Sequence, residues 1–147
     1  MLNNLPVGEE GHSTAGLLGP FWRDHAPVCQ LGDSIVRSDT PGLAMEVRGV
    51  VYDAQGKPAA GAKVDVWHAS PVGFYENQDP SQADMNLRGI FTTDADGRYW
   101  FKSVRPKFYP IPDDGPVGKL LGQMGRHPYR PAHIHFIVSA PGFKPVV

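Results

Sequence analysis

The chain has 147 residues, enough for one domain with a hydrophobic core, and its formal net charge is -1. This balance gives no reason to expect nucleic acid or an anionic membrane surface as a partner, and without a long apolar run we expect no transmembrane helix. The single cysteine, Cys29, excludes an internal disulfide, and the N-terminus lacks a signal-peptide pattern, so we expect a cytoplasmic location.

The 17 glycines and 15 prolines favour many short elements joined by tight turns, which is typical of an all-β fold. Residues 1–28 are expected to be mostly irregular. Side-chain alternation and β-branched content then predict strands at 45–52, 62–68, 89–93, 98–104 and 132–139. The third and fourth of these are expected to form a hairpin around the Asp-Ala-Asp-Gly turn at 94–97. Together they predict an antiparallel β-sandwich.

Long shaped loops separate these strands. Residues 106–116 contain five prolines or glycines and predict such a loop, and residues 117–124 predict at most one or two short helical turns. The last four residues, Lys-Pro-Val-Val, indicate the start of another strand.

A pair of histidines is the most informative local pattern. His133 and His135 stand two residues apart in the predicted strand at 132–139. Because side chains alternate across a strand, both imidazoles are expected on one face. Two imidazoles side by side form half of a metal site, although such a pair also occurs at surfaces and in cores.

The other half of a metal site requires further donors. Cys29 alone cannot complete a zinc site, and most carboxylates fall in predicted turns, where a structural role explains them. Tyr75 follows Gly73-Phe74, and Tyr109 lies in the proline-rich loop at 106–116, which would fix a side chain well. Taken alone, Tyr75 is an ordinary loop aromatic residue, and Tyr109 could be a core tyrosine packed against prolines.

An ordered set of motifs carries a family resemblance. It comprises the segments at 19–21, 26–27, 49–53, 61–69, 73–75, 87–89, 96–99, 109–118 and 125–136. Over about residues 17–142 the chain resembles the intradiol ring-cleavage dioxygenases, which are β-sandwich enzymes with a non-haem ferric ion. The segments at 109–118 and 125–136 are most similar to the hydroxyquinol 1,2-dioxygenase branch, with catechol and chlorocatechol 1,2-dioxygenases as near relatives.

The resemblance implies a set of site residues. Tyr75, Tyr109, His133 and His135 would bind Fe(III), a hard cation that favours anionic oxygen donors and deprotonates the tyrosines it binds. Tyr109 would leave the metal when substrate binds and accept a substrate proton, whereas Tyr75 would stay bound. Arg130 would stabilise negative charge on the substrate. The substrate pocket would be lined by Arg130 and by Leu17, Leu18, Gly19, Pro20 and Phe21.

The implied activity is insertion of O2 between the two hydroxylated carbons of hydroxyquinol or a related catechol, in the degradation of aromatic compounds. The product would be maleylacetate or a muconate-type diacid. We divide the chain into an irregular segment at 1–16 and a catalytic core at 17–147 that ends earlier than the family pattern. A missing strand would expose a sheet edge, so either the chain is truncated or another subunit supplies the missing part, and the sequence alone does not decide between them. We predict a homo-oligomer.

Two other interpretations stay open at this level. The chain could bind iron without turning over a substrate, because the family pattern continues past residue 147. Alternatively, the pattern at 49–64 also occurs in transthyretin-like β-sandwich modules that bind or scaffold, although it does not explain the residues from Tyr109 to His135.

Overall fold

The computed structural model describes residues 16–110 and 129–147. In these residues the chain forms seven β-strands and one 3-10 turn, Glu76–Gln78. The strands are β1 (Ala44–Val50), β2 (Lys63–Trp67), β3 (Arg88–Thr92), β4 (Arg98–Val104), β5 (Tyr109–Pro110), β6 (Tyr129–Arg130) and β7 (His135–Ser139). All pairings between these strands are antiparallel, which confirms the predicted fold class. The predicted helical turns at 117–124 lie outside the described residues.

Three sheets arise from these strands. The central strand β2 pairs with β3 on one side and β7 on the other, β1 pairs with β4, and the two-residue strands β5 and β6 pair with each other. β2 suits its central place because Val64, Val66 and Trp67 are β-forming residues that fill space on both of its faces.

The main core lies between the β1–β4 sheet and one face of the β3–β2–β7 sheet. Val64 and Val66 of β2 are fully buried there, with Phe91 of β3 and Phe101 of β4. The rings of Phe91 and Phe101 stack with centroids 5.1 Å apart, so each sheet contributes one ring to the contact. Two sheets packed face to face in this way form the predicted sandwich.

The opposite face of the β3–β2–β7 sheet is also covered. Asp65 and Trp67 point to this face because they alternate with Val64 and Val66 along β2. Asp65 is only 6% exposed, since the loops carrying Trp22 and Tyr75 pack on this side.

The predicted hairpin between β3 and β4 is wrong in its pairing. The turn itself is present: the Asp94 N–H donates to the Arg98 carbonyl at 3.0 Å, and the Asp94 carboxylate accepts from two further backbone N–H groups. However, β3 pairs with β2 and β4 pairs with β1. The turn therefore carries the chain from one layer of the sandwich to the other.

The last residues cover part of the outer edge of β7. Val146 forms an antiparallel bridge with Val138 on the outer edge of β7, and the Gly16 N–H donates to the Val147 carbonyl at 2.8 Å. The predicted extended segment is therefore present as a bridge. Among the described residues, no helix is long and apolar enough to cross a membrane.

We expect Gly97→Ala to destabilise the fold more than Gly56→Ala. Both glycines have a positive φ, +73° and +79° respectively, which costs alanine about 1–2 kcal/mol. A Cβ at Gly97 would also come within 2.7 Å of the Val51 carbonyl oxygen, whereas nothing lies within 4 Å of a Cβ at Gly56. In urea unfolding, the free energy of unfolding should fall by about 1–2 kcal/mol for G56A and by roughly 3 kcal/mol or more for G97A. Equal losses would contradict the close approach at Gly97.

Candidate metal centre

Two imidazoles converge at the start of β7. Nε2 of His133 and Nε2 of His135 lie 3.1 Å apart, with the ring planes at 87°. His135 is the first residue of β7, whereas His133 precedes the strand, so the predicted strand at 132–139 begins three residues too early. His133 is instead fixed by a hydrogen bond of 2.7 Å between its Nδ1 and the Pro131 carbonyl. The convergence was expected from strand alternation, but His133 lies before the strand and is held by its hydrogen bond to the Pro131 carbonyl.

Both imidazoles are held in the neutral form that binds metals. Because the Pro131 carbonyl can only accept, Nδ1 of His133 carries the proton and Nε2 presents its lone pair. Burial lowers the pKa of His133, and the positive charge of Arg130 lowers it further, whereas the hydrogen bond to Pro131 raises it. Burial, together with the His133 and Arg130 charges, lowers the pKa of His135 to about 4. At neutral pH both Nε2 atoms can therefore act as ligands.

The spacing of the two nitrogens fits a shared metal ion. An imidazole nitrogen lies about 2.0–2.1 Å from a bound metal such as zinc, so two of them in adjacent positions are roughly 3 Å apart. Among the described residues there is no group of three or more His, Cys, Asp and Glu side chains arranged to hold a metal. A site built on this pair in that part of the chain would draw on donors of another type, and phenolate oxygen suits a hard ferric ion.

A tryptophan ring stacks on one of the two imidazoles. Trp67 pairs directly opposite His135 in the β2–β7 register, and their rings stack with centroids 4.8 Å apart and planes at 7°. Because Trp67 is only 1% exposed, the close packing around its ring keeps it in this contact. The central strand of the sheet therefore sets the orientation of the His135 ring.

Tyr75 is buried on the same side of the sheet. It is 1% exposed and packs in one cluster with Trp67 and Ala69. The Phe21 ring stacks on it at 4.4 Å, and the Arg88 guanidinium carbon lies 5.9 Å from its ring centroid. Its backbone is fixed by the Gln78 side chain, which accepts the Tyr75 N–H at 3.0 Å.

A buried ion pair adjoins Tyr75. Arg88 Nε donates to Glu76 Oε1 at 2.6 Å, and both side chains are 2% exposed. The second Glu76 oxygen accepts from Arg23 Nη1 at 2.7 Å and from the Met85 N–H at 3.1 Å. Burial lowers the pKa of Arg88, whereas the hydrogen bond and charge of Glu76 raise it, so the guanidinium stays protonated at neutral pH.

Tyr109 and Arg130 are brought together by backbone pairing. They stand opposite each other in the β5–β6 ladder, although the Tyr109 side chain lies outside the described part of the structure. Arg130 is exposed, and its charge reaches both imidazoles, since it lowers the pKa of each. The short ladder therefore joins the proline-rich loop to the histidine segment.

The predicted pocket segment at 17–21 reaches the site through its last residue. Phe21 stacks on Tyr75, whereas Leu17 is 90% exposed and Leu18 lies at the surface. The segment is held down by the next residue, because Trp22 Nε1 donates to the buried Asp65 carboxylate at 3.2 Å. Burial raises the pKa of Asp65, whereas the hydrogen bond from Trp22 lowers it by a smaller amount.

A groove of about 680 Å³ borders the histidine segment. Leu43, Val72, Phe108 and Ala132 contribute to its walls, and Ala132 directly precedes His133. Of the described residues that line it, none belongs to the segment at 17–21. The groove therefore gives a second apolar surface next to the candidate ligands.

Sequence reasoning missed three residues of this region. These are Trp67, Glu76 and Arg88, none of which the sequence pattern assigned to the site. The available signal was an arginine placed between apolar residues and a glycine at the start of a strand, because a buried charge requires a nearby partner. Which carboxylate supplies that partner depends on a contact across twelve residues that no local pattern reveals.

Comparisons with known proteins agree with this fold. A family model described as "Dioxygenase" matches residues 17–147. The chain belongs to this dioxygenase family. It is 54% identical to the hydroxyquinol 1,2-dioxygenase of Rhizobium sp. (strain MTP-10005) over 93% of the chain and 46% of that relative. It is 45% identical to the catechol 1,2-dioxygenase of Candida albicans over 95% of the chain and 46% of that relative.

Solved structures give the same result. The hydroxyquinol 1,2-dioxygenase of Pseudomonas putida DLL-E4 matches with a TM-score of 0.85 at 40% identity, over 92% of this chain and 47% of that one. The 3-chlorocatechol 1,2-dioxygenase of Rhodococcus opacus 1CP matches with a TM-score of 0.81 at 34% identity, over 91% of this chain and 54% of that one. The resemblance to intradiol dioxygenases is confirmed, and the chain spans about half the length of the curated relatives it matches.

We expect the stability of this dioxygenase-family chain to fall in acid partly through His68. This buried imidazole pairs with Ser103 Oγ at 2.7 Å and the Ala69 carbonyl at 2.8 Å, and burial lowers its pKa to about 4. The unfolded chain, with a histidine pKa near 6.5, therefore binds more protons between pH 6.5 and 4. The stabilisation is complete above pH 6.5 and is lost as the pH falls towards 4, by on the order of 3 kcal/mol.

The measurement is urea unfolding between pH 4 and 7 for the wild type and His68→Gln. The free-energy difference between them should shrink as the pH falls. The same curves for His25→Gln, a substitution at an exposed histidine, serve as the control. A difference for H68Q that is constant with pH would contradict a neutral buried His68.

Proposed function

We propose that this chain is the catalytic core of a non-haem Fe(III) intradiol dioxygenase that acts on hydroxyquinol or a related catechol. The proposal is carried by the 3.1 Å convergence of the His133 and His135 Nε2 atoms in a chain of the dioxygenase family. The buried Tyr75, packed in one cluster with the tryptophan that stacks on His135, supports it.

The proposed ligands are Tyr75, Tyr109, His133 and His135. Two neutral imidazoles and two tyrosinates leave one net positive charge with Fe(III), which suits binding of an anionic substrate. When bound, the ion would supply the Lewis-acid and redox centre that lets a catechol react with O2. In the overall reaction the bond between the two hydroxylated carbons breaks, and both oxygen atoms enter the diacid product.

The side chains of the chain have separate proposed roles. Tyr109 accepts a proton from a substrate hydroxyl, which converts the catechol to the anion that binds. Arg130 keeps its positive charge throughout and stabilises negative charge that develops on the substrate. Its electrostatic effect on both imidazoles supports a place within reach of the same substrate.

The substrate would lie beside Phe21 and the segment at 17–21. Phe21 contacts Tyr75, and the Trp22–Asp65 hydrogen bond anchors the segment to the sheet. Stacking rings and apolar walls exclude water and bind a planar aromatic molecule, which suits a catechol.

Hydroxyquinol is the substrate we favour, with maleylacetate as its product. The curated relative at 54% identity is named a hydroxyquinol 1,2-dioxygenase, whereas the catechol enzyme from Candida albicans is 45% identical. A homo-oligomeric state, a cytoplasmic location and the division at residues 16 and 17 stay predictions. The family match extends to residue 147, beyond the pattern at 49–64 that suggested a transthyretin-like module.

We expect His133→Asn and His135→Asn each to lower ferric affinity by at least roughly tenfold, because each removes a donor from a closely spaced pair. Chelator competition with purified protein measures this directly. His25→Asn is the matched control, since that imidazole is exposed and its φ of 61° is tolerated by asparagine. Ferric affinity that is unchanged in both site variants would exclude the assignment.

We expect hydroxyquinol, added without oxygen, to shift the visible tyrosinate-to-iron band of the ferric protein to longer wavelength, and catechol to do so at higher concentration. Admission of oxygen should then yield the ring-opened diacid. A band that shifts without product would indicate an iron-binding but inactive chain. A colourless protein after ferric loading would contradict the proposed metal centre itself.

A further inference from the structure

Arg88 is a fully buried cation on the face of the sheet that carries the candidate ligands. In the strand register Arg88 of β3 stands opposite Trp67 of β2, which stands opposite His135 of β7. Directly opposed residues in antiparallel strands project to the same face. Arg88 therefore places a permanent positive charge on the same face of the sheet as His135.

Three contacts of the Arg88 side chain lead to Tyr75 or to its neighbours. The guanidinium carbon lies 5.9 Å from the Tyr75 ring centroid, and Nε donates to the carboxylate of Glu76, the next residue, at 2.6 Å. Nη1 donates to the Phe21 carbonyl at 2.6 Å, and the Phe21 ring stacks on Tyr75. One side chain thus contacts the phenol ring, the backbone of its stacking partner and the adjacent carboxylate.

Burial of Arg88 is costly. Its side chain is 2% exposed, and Nη2 is buried without a hydrogen-bond partner among the described residues. A buried ion pair is often no more stabilising than apolar residues of similar volume, so stability alone explains this arrangement poorly. A role of Arg88 in the site accounts for its burial better than stability does.

The loop before Arg88 is strained and held in place. Met85 and Leu87 have φ values of 60° and 61°, a left-handed conformation that is unfavourable for residues with a side chain. The Met85 N–H is held by Glu76, and the buried Asn86 accepts the Arg37 N–H at 2.7 Å. Such strain persists only where surrounding contacts fix it, and it concentrates at functional sites.

We propose that Arg88 is a positioning residue for Tyr75. With Glu76 and the Phe21 carbonyl it fixes the phenol ring, and its charge stabilises the tyrosinate oxygen as a metal donor. The inference rests on the proposed function, because it concerns Tyr75 as a ligand of Fe(III). Arg88 acts through Tyr75 and has no assigned contact with substrate.

A double-mutant cycle tests the proposal through metal binding. Arg88→Lys keeps the charge but loses the planar guanidinium that makes the three contacts. In the wild-type background we expect it to weaken ferric affinity by roughly 10- to 100-fold, the range seen when partners of metal ligands are removed. In the Tyr75→Phe background, where residue 75 no longer binds iron, the same change should have little further effect.

Arg23→Lys is the matched control. Arg23 binds the same Glu76 carboxylate at 2.7 Å from a partly exposed position, so its loss perturbs the ion pair with less effect on the ring. We expect ferric affinity within about threefold of wild type for this variant. In addition, the neutral pair Arg88→Met with Glu76→Gln should shift the visible band to longer wavelength, because the tyrosinate donor loses a nearby cation.

The outcomes separate the two levels of proposal. Equal losses for R88K in the wild-type and Tyr75→Phe backgrounds, or an unchanged affinity and band, would overturn the positioning role while the metal centre stands. Circular dichroism of each variant shows whether folding is retained. If R88K is unfolded, the visible band of the variant with Arg88→Met and Glu76→Gln decides the outcome. Absence of ferric binding by the wild type would instead overturn the proposed function.

Discussion

The register of the central strand β2 is the constraint on which the rest of the site depends. Trp67 stands between Arg88 and His135 across three strands, and its ring supports His135 by stacking. Because side chains alternate along a strand, the same register sends Val64 and Val66 into the main core. A shift of one residue would exchange the two faces and remove the core and the site together. Strong selection of this register by apolar burial therefore also fixes the position of a candidate ligand.

Electrostatics on the site face follow from burial. The imidazoles of His133 and His135 are neutral because their surroundings disfavour a positive charge, and Arg130 adds to that effect. The one fully buried cation on that face, among the described residues, is Arg88, which is paired with Glu76. In the proposed centre, neutral nitrogen donors and a phenol beside a guanidinium would suit a metal ion with anionic oxygen ligands. The chain belongs to the dioxygenase family, and the reaction class that we propose for this centre follows from that membership.

The sequence predicted the fold class, the β4 strand and the histidine pair, because alternation and turn residues act locally. It did not predict that β3 and β4 enter different sheets, since the Asp-Ala-Asp-Gly turn sets a local reversal and leaves open which edge the next strand joins. It also did not reveal that β2 is covered on both sides, because polar alternation along a strand does not show what packs against Asp65 and Trp67. Arg88 and Glu76 form a non-local contact, so neither was expected. The proposal that Tyr75 is a ligand rests on the family resemblance, and the structure adds its burial beside Phe21.

The most direct test of the metal centre is a crystal structure of the ferric-loaded chain with anomalous diffraction measured at the iron absorption edge. We expect one anomalous peak within bonding distance of Nε2 of His133, Nε2 of His135 and the phenolate oxygen of Tyr75. A peak at another place on the chain, or none after loading, would contradict the centre built on the convergence of the two histidines.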